Sequence, residues 1–252
     1  MTRLFAVFCL YFICSSQNSI AQDAEVQKIL SDWDRTWVDR QSYAEVKMVI
    51  VTQNYTRELA LKYWGKGKNK TLIRIVAPPK ENGVTTLKVD GQIYNYLPNI
   101  ARTVKVNNAL LGKSWMGSHF TNSDLIRSTR FSDDYHAKLL KKTVKNKAEL
   151  WTILTTAKPK TVTPWKTIKL IYNKTHRLPV QQSFYNKKKK LVRSIRFSKP
   201  KNFGGKLAPS VVVVTPHSKK KKGENTTMIY EKIDRKTKID DEIFELSSIT
   251  NY

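Results

Sequence analysis

The chain has 252 residues, with 46 Lys and Arg against 20 Asp and Glu, for a formal net charge of +26. Hydrophobic residues make up 40% and aromatics 10%, which supplies a folded core and excludes a disordered polycation. Nine Gly and nine Pro exclude a collagen-like or low-complexity chain.

Arg3 precedes an unbroken apolar run, Leu4–Cys14, followed by polar residues and then Ser19-Ile20-Ala21. A basic start, a short apolar middle and a small-x-small site predict a secretory signal peptide, residues 1–21, cleaved after Ala21. The run falls short of the roughly 20 apolar residues of a membrane span. Lipidation at Cys14 is disfavoured, because Tyr11-Phe12-Ile13 put bulky side chains where that signal wants small ones. The expected product, residues 22–252, is a single exported domain. Both cysteines, Cys9 and Cys14, leave with the leader, which excludes a disulfide scaffold, a Cys-based zinc site and a Cys nucleophile.

A helix opens the remainder. Val26, Ile29, Leu30, Trp33 and Trp37 form one apolar stripe behind an Asp23 cap. From Tyr43 the period changes to two, with Ala44, Val46, Met48 and Ile50, then Leu59, Leu61 and Tyr63. Runs rich in β-branched and aromatic residues recur at 71–76, 84–89, 92–97 and 101–106. They resume at 135–143, 149–156, 165–172, 178–185, 191–197, 209–215 and 226–233, with turn signals such as Asp90-Gly91, Asn173-Lys174 and Lys222-Gly223. This rhythm predicts a mainly β protein: one strongly curved antiparallel sheet or incomplete barrel, with helices over its concave face. Sheet periodicity stops between Val106 and Ser132, where Ser123-Asp124-Leu125-Ile126 is expected to open a short helix.

Within 63–129 the chain carries Tyr63-Trp-Gly-Lys-Gly67, Leu72-Ile73-Arg74, Pro78, Tyr96-Leu97-Pro98, Arg102 and Ser114-Trp-Met-Gly-Ser-His-Phe-Thr-Asn-Ser-Asp-Leu125. A weaker echo is Ile239-Asp-Asp-Glu-Ile-Phe244. In these residues the chain resembles the outer-membrane lipoprotein-sorting protein family, relatives of the periplasmic carrier LolA. One departure is His119, where the family commonly has an acidic residue. The resemblance implies an open barrel with a helical lid and an apolar cavity for acyl chains. It does not identify the cargo; the leading expectation is a non-enzymatic periplasmic carrier of lipid or acylated protein that needs no cofactor. Many members accompany inner-membrane exporters of the RND or ABC type, so an accessory subunit that carries no lipid is the alternative.

Trp115, Met116 and Phe120 lie in the long break in the sheet pattern and are assigned to the lid or cavity wall, against the plainer reading of a crossover plugging the barrel end. Trp64, Tyr94, Tyr96 and Trp151 are further pocket candidates by composition, although plain core packing is the simpler reading of each. Arg74 and Arg102 are candidate anchors for a headgroup or for the lid, because an Arg among apolar neighbours needs an anionic partner; for Arg102 surface solvation is the plainer reading.

The charge is also patterned. In an uninterrupted meander, alternate turns emerge at one end. That end would collect Lys158 and Lys160, then Lys187, Lys188, Lys189 and Lys190, then Lys219, Lys220, Lys221 and Lys222. Near an anionic leaflet each lysine is worth about 1 kcal/mol, so this rim is suited to transient docking on such a membrane; solvated hairpin tips are the plainer reading. Specific nucleic-acid binding is not expected, since there is no zinc-finger spacing or RNP1 sequence and the aromatics sit apart from the lysine clusters. Catalysis is not expected either: there is no G-x-S-x-G elbow, H-E-x-x-H pair or phosphate loop, and the histidines are scattered.

Overall fold

A computed structural model describes residues 21–36, 39–122, 124, 130–161, 163 and 165–250. The proposed leader and the continuation of the short helix expected at 123–126 lie outside these residues, apart from Ala21 and Asp124.

Helix α1 occupies 21–36 and buries Val26, Ile29, Leu30 and Trp33 of the stripe; Trp37 lies outside the described residues, and Asp23 sits inside the helix rather than capping it. The strands follow: β1 (Gln41–Val51), β2 (Thr56–Lys66), β3 (Lys70–Ala77), β4 (Thr85–Val89), β5 (Gln92–Leu97) and β6 (Arg102–Lys105). After a crossover and a short helix α2 (Phe131–Asp134) come β7 (Tyr135–Lys145), β8 (Ala148–Ala157), β9 (Thr167–Asn173), β10 (Leu178–Tyr185), β11 (Leu191–Phe203), β12 (Lys206–Pro216) and β13 (Asn225–Asp234). Among the described residues no helix is long and apolar enough to cross a membrane.

All thirteen strands form one antiparallel sheet in the order β6-β5-β4-β3-β2-β1-β13-β12-β11-β10-β9-β8-β7. Two meanders are therefore joined side by side through β1 and β13, where Ala44 pairs with Ile233 and Ile50 with Thr226. The consecutive strands β6 and β7 are the two opposite edges, so the barrel stays open. The chain between them must travel from one edge to the other, which explains why sheet periodicity lapses there. Bulges at Glu45/Val46, Ala60/Leu61 and Leu139/Lys141 add local twist and curl the sheet.

The concave face has two covers. Helix α1 packs on the β8–β12 half, where Trp33 meets Phe131, Tyr172 and Phe197 at ring-centroid distances of 6.0, 6.2 and 5.8 Å. The crossover packs on the other half, with Trp115 against Ala44, Val46, Leu61 and Ile73. On the convex face, Leu72 and Leu87 are covered by Ile239, Phe244 and Ile249 of the C-terminal segment.

That C-terminal cover is clamped by Asp241, which accepts from Lys66 Nζ at 2.8 Å and Lys70 Nζ at 2.6 Å. Hydrogen bonds from Lys66 and then Lys70 hold its carboxyl down to about 2. A depressed carboxylate stabilises the fold fully above its ordinary pKa near 3.8, and that contribution is lost as pH falls through 2. The Asp241 carbon resonance is expected to titrate near pH 2, and to move up in high salt because the pair is exposed. Titration near 3.8 in low salt would show that the clamp does not form.

Candidate functional site

The crossover is anchored by a tight reversal at 114–121. Ser114 bridges Thr121, the Trp115 N–H donates to the Phe120 carbonyl at 2.8 Å, and the Ser118 N–H donates to the Trp115 carbonyl at 2.9 Å. The two residues at its tip, Met116 and Gly117, have φ of 48° and 71°, as a type I′ turn requires. That geometry accounts for the Met-Gly-Ser segment physically: glycine adopts positive φ without a Cβ penalty. Arg57 donates from Nη2 to the Met116 carbonyl and holds the tip against β2.

The turn aims Trp115 inward. It is 2% exposed, and its Nε1–H donates to Thr86 Oγ1 at 3.0 Å. Thr86 in turn donates to Asn95 Oδ1 at 2.7 Å, so the indole is tied to two neighbouring strands. The His119 ring sits between Thr226 Oγ1, 2.9 Å from Nδ1, and Glu224 Oε2, 3.0 Å from Nε2. The hydrogen bond from His119 is the main cause that holds the Glu224 carboxyl below its usual range. Thus the imidazole found where the resemblance expected an acid is itself paired with one.

Further along, Asp124 accepts from both ends of the Arg193 guanidinium, each at 2.7 Å, and from the Thr121 N–H at 2.7 Å. Arg193 lies over Phe184 and Trp165, 4.4 and 5.0 Å from their ring centroids. A bidentate pair backed by two aromatic faces fastens the crossover to β11. At the end of the crossover, Asp34 of α1 accepts from the Phe131 and Ser132 N–H groups at 2.9 and 3.1 Å and from Ser132 Oγ at 2.8 Å. Burial pushes the Asp34 carboxyl up against the pull of these bonds.

Between α1 and the crossover the two covers leave a cavity of about 370 Å³. Its apolar wall includes Val46, Leu61, Ile73, Phe184, Ile195, Phe197 and Met228 from the sheet, and Trp33, Trp115, Phe120 and Phe131 from the covers. The phenols of Tyr63 and Tyr230 also line it, and burial raises both. Polar groups gather towards the ends: Asp39, Ser42, Lys68, Thr71, Lys88 and Arg235 at one, Asp124 at the other. Among the described residues no group of three or more His, Cys, Asp or Glu side chains is placed to hold a metal ion.

Of the residues singled out from the sequence, Trp115 and Phe120 line this cavity, and Met116 packs beside them against the β1–β3 half of the core. Trp64, Tyr94 and Tyr96 lie on the convex face beneath the C-terminal segment, away from the cavity. Trp151 is buried under α1, with its Nε1–H donating to Glu149 Oε1 at 2.7 Å, and does not line the cavity. Arg74 donates from Nε to Thr85 Oγ1 at 3.1 Å, and Arg102 is exposed on the edge strand β6. Lys187 to Lys190 and Lys219 to Lys222 are exposed on two turns that emerge at one end of the sheet, since Arg193 pairs with Pro216. Lys160 is exposed on the β8–β9 connection at that end, whereas Lys158 is half-buried and donates to the Asp133 carbonyl at 2.6 Å.

Sequence reasoning missed Arg193 and Lys88, although the signal was there. Arg193 shares strand parity with Ile195 and Phe197, and Lys88 with Thr86, so both face the concave side. The argument applied to Arg74 and Arg102 fits Arg193 better.

An open antiparallel sheet curled around an apolar cavity, with a helix and an edge-to-edge crossover over its concave face, is a LolA-like fold. The chain is similar to a DUF1329 family protein from Desulfovibrio piger, with 20% identity over 90% of this chain and 98% of that one and a TM-score of 0.80. It is also similar to a putative outer membrane lipoprotein-sorting protein domain from Vibrio parahaemolyticus, at 17% identity over 91% and 97% of the two chains and a TM-score of 0.74. A LolA superfamily protein from Nitrosomonas europaea aligns at 20% identity over 88% and 97%, with a TM-score of 0.71. At such identities the likeness establishes the fold. A family model described as "Uncharacterized protein" matches residues 67–251, and the chain belongs to that family. No curated protein matches it.

Proposed function

We propose that the chain is a non-enzymatic periplasmic carrier that shelters an acyl chain of a lipid or acylated protein and passes it towards the outer membrane. The observation that carries this reading is the apolar cavity between two separately anchored covers. Burying a methylene is worth about 0.8 kcal/mol. A bilayer offers nearly the same gain, so a carrier needs only a dry hollow that competes with the membrane and a cover that yields. A cavity of about 370 Å³ lies at the small end of the usual range for small-molecule pockets, about 300–1,000 Å³, which suits one acyl chain rather than several. The exposed lysine tips would bring one end of the sheet to an anionic membrane surface during loading or release.

Gentle purification from the periplasm, followed by solvent extraction and mass spectrometry, is expected to return acyl lipid at about one chain per protein. Flotation with phosphatidylglycerol vesicles at low salt should bring the protein up, and replacing Lys187 to Lys190 and Lys219 to Lys222 with Gln should abolish this. A protein that carries no acyl lipid and binds none when it is offered would overturn the carrier reading. Stable co-purification of such an empty protein with an RND- or ABC-type exporter would assign it an accessory role instead.

A further inference from the structure

Lys88 is chemically out of place in the cavity wall. It stands on β4 between Thr71 of β3 and Ile93 of β5, and it is only 6% exposed. Its ammonium donates to the Lys68 carbonyl at 2.8 Å, in the β2–β3 turn. An ammonium carries three donors and a full charge, and a carbonyl satisfies one donor and none of the charge.

The acidic groups that share the cavity are already engaged. Asp34 is held by Phe131 and Ser132, Asp39 by Lys206 at 2.9 Å and Arg235 at 3.0 Å, and Asp124 by Arg193. Among the described residues no acidic side chain pairs with Lys88. Burial depresses its affinity for a proton, the effect expected of a cation held away from water without a counter-charge. Its end of the cavity is also where Lys68 and Arg235 lie, opposite the lysine-tipped turns. The wall also holds Asp34, Asp124, Gln182 and the Tyr63 and Tyr230 phenols but is otherwise mainly apolar, so the hollow has an oily body and an end where Lys68, Lys88 and Arg235 outnumber Asp39.

We propose that Lys88 forms a headgroup subsite, and that the cavity takes a single-chain amphiphile whose anionic oxygens, carboxylate or phosphate, accept from its Nζ. The proposal rests on the carrier reading and adds the ligand's chemistry: one tail, one negative head. A carboxylate or phosphate supplies the charge that the protein withholds, in surroundings of low dielectric where a charge-assisted hydrogen bond counts for most. A neutral head gains no such partner.

Calorimetric titration of the purified, delipidated protein with dodecanoate, dodecyl phosphate and dodecan-1-ol tests this directly. Dodecanoate or dodecyl phosphate is expected to bind at least about tenfold more tightly than the alcohol, and the better of the two identifies the head. In Lys88→Met that preference should fall to about one, whereas Lys88→Arg should keep most of it. If the alcohol matches the anions in the wild-type protein, the headgroup subsite is refuted and the carrier reading survives. A preference that persists in Lys88→Met also refutes it. If none of the three binds, both readings fall. The wild-type comparison needs no variant, so it decides even where Lys88→Met fails to fold.

Discussion

Trp115→Ala is expected to destabilise the protein by about 3–5 kcal/mol, the usual cost of deleting a large buried aromatic side chain. For a chain of this size that corresponds to a fall of roughly 6–20 °C in the unfolding midpoint. Trp115 is 2% exposed, fills the space between the crossover and β1–β3, and donates to Thr86 Oγ1. Its loss enlarges the cavity at one wall and removes the only large apolar anchor of the 114–121 turn that is fully sunk into the core. Trp115→Phe keeps most of the ring and loses the indole donor. Thr86 still has Asn95 to donate to, so the cost should drop to about 1 kcal/mol. Bound acyl lipid is expected to decline sharply in the Ala variant and to persist in the Phe variant. Thermal melts monitored by circular dichroism, read beside lipid extraction, check both. A midpoint within about 2 °C of wild type for Trp115→Ala would show that the crossover does not pack as a core element.

Much of this architecture was legible before any coordinates, for a physical reason. Period-two burial in β1 is nearly perfect, because its concave face is covered along its whole length while its convex face stays half-exposed. The same alternation, punctuated by Asp90-Gly91 with φ of 50° and 72°, delimited β5 at its observed bounds, and β10 was delimited likewise. The 3.6 spacing of Val26, Ile29, Leu30 and Trp33 needed only one buried face to be read as α1. Strand order was less accessible. Pairing of β1 with β13, and hence the placement of β6 and β7 at opposite edges, depends on contacts about 180 residues apart in sequence that no local pattern encodes.

The site was legible in part, and the failures share a cause. Trp64, Tyr94 and Tyr96 are aromatic and lie on strands, yet a second apolar surface exists on the convex side because the C-terminal segment returns to cover it. Composition cannot separate two buried faces of one sheet. Parity can, once a single residue is assigned to a face. With Ile73 on the concave side, Leu72 and Arg74 must point the other way. Extending that logic across β4 and β11 brings Lys88 and Arg193 to the inside, where a charge requires a reason.

The Arg193–Asp124 pair should behave as a latch whose two halves are strongly coupled. Arg193→Met leaves the Asp124 carboxylate at the cavity wall without its guanidinium, and breaking a buried pair in this way costs about 3–5 kcal/mol. Asp124→Asn keeps an acceptor for one arm of Arg193, which also retains the faces of Phe184 and Trp165, so its cost should be smaller. The double variant is expected to be more stable than the sum of the single losses predicts, by at least about 1.5 kcal/mol in a double-mutant cycle. The location of the damage distinguishes a latch from a general brace. Asp124 belongs to the crossover, whereas Arg193 belongs to a strand held on both sides by β10 and β12. Hydrogen exchange in Arg193→Met should therefore accelerate first at the Trp115, Ser118 and Asn122 amides, which bond within the crossover, while amides of β8–β10 keep their protection. Selective opening of that kind is what a cover must do to admit or release a ligand. Additive single-variant costs, within about 0.5 kcal/mol, or uniform acceleration across the whole sheet would show that the pair only braces the fold.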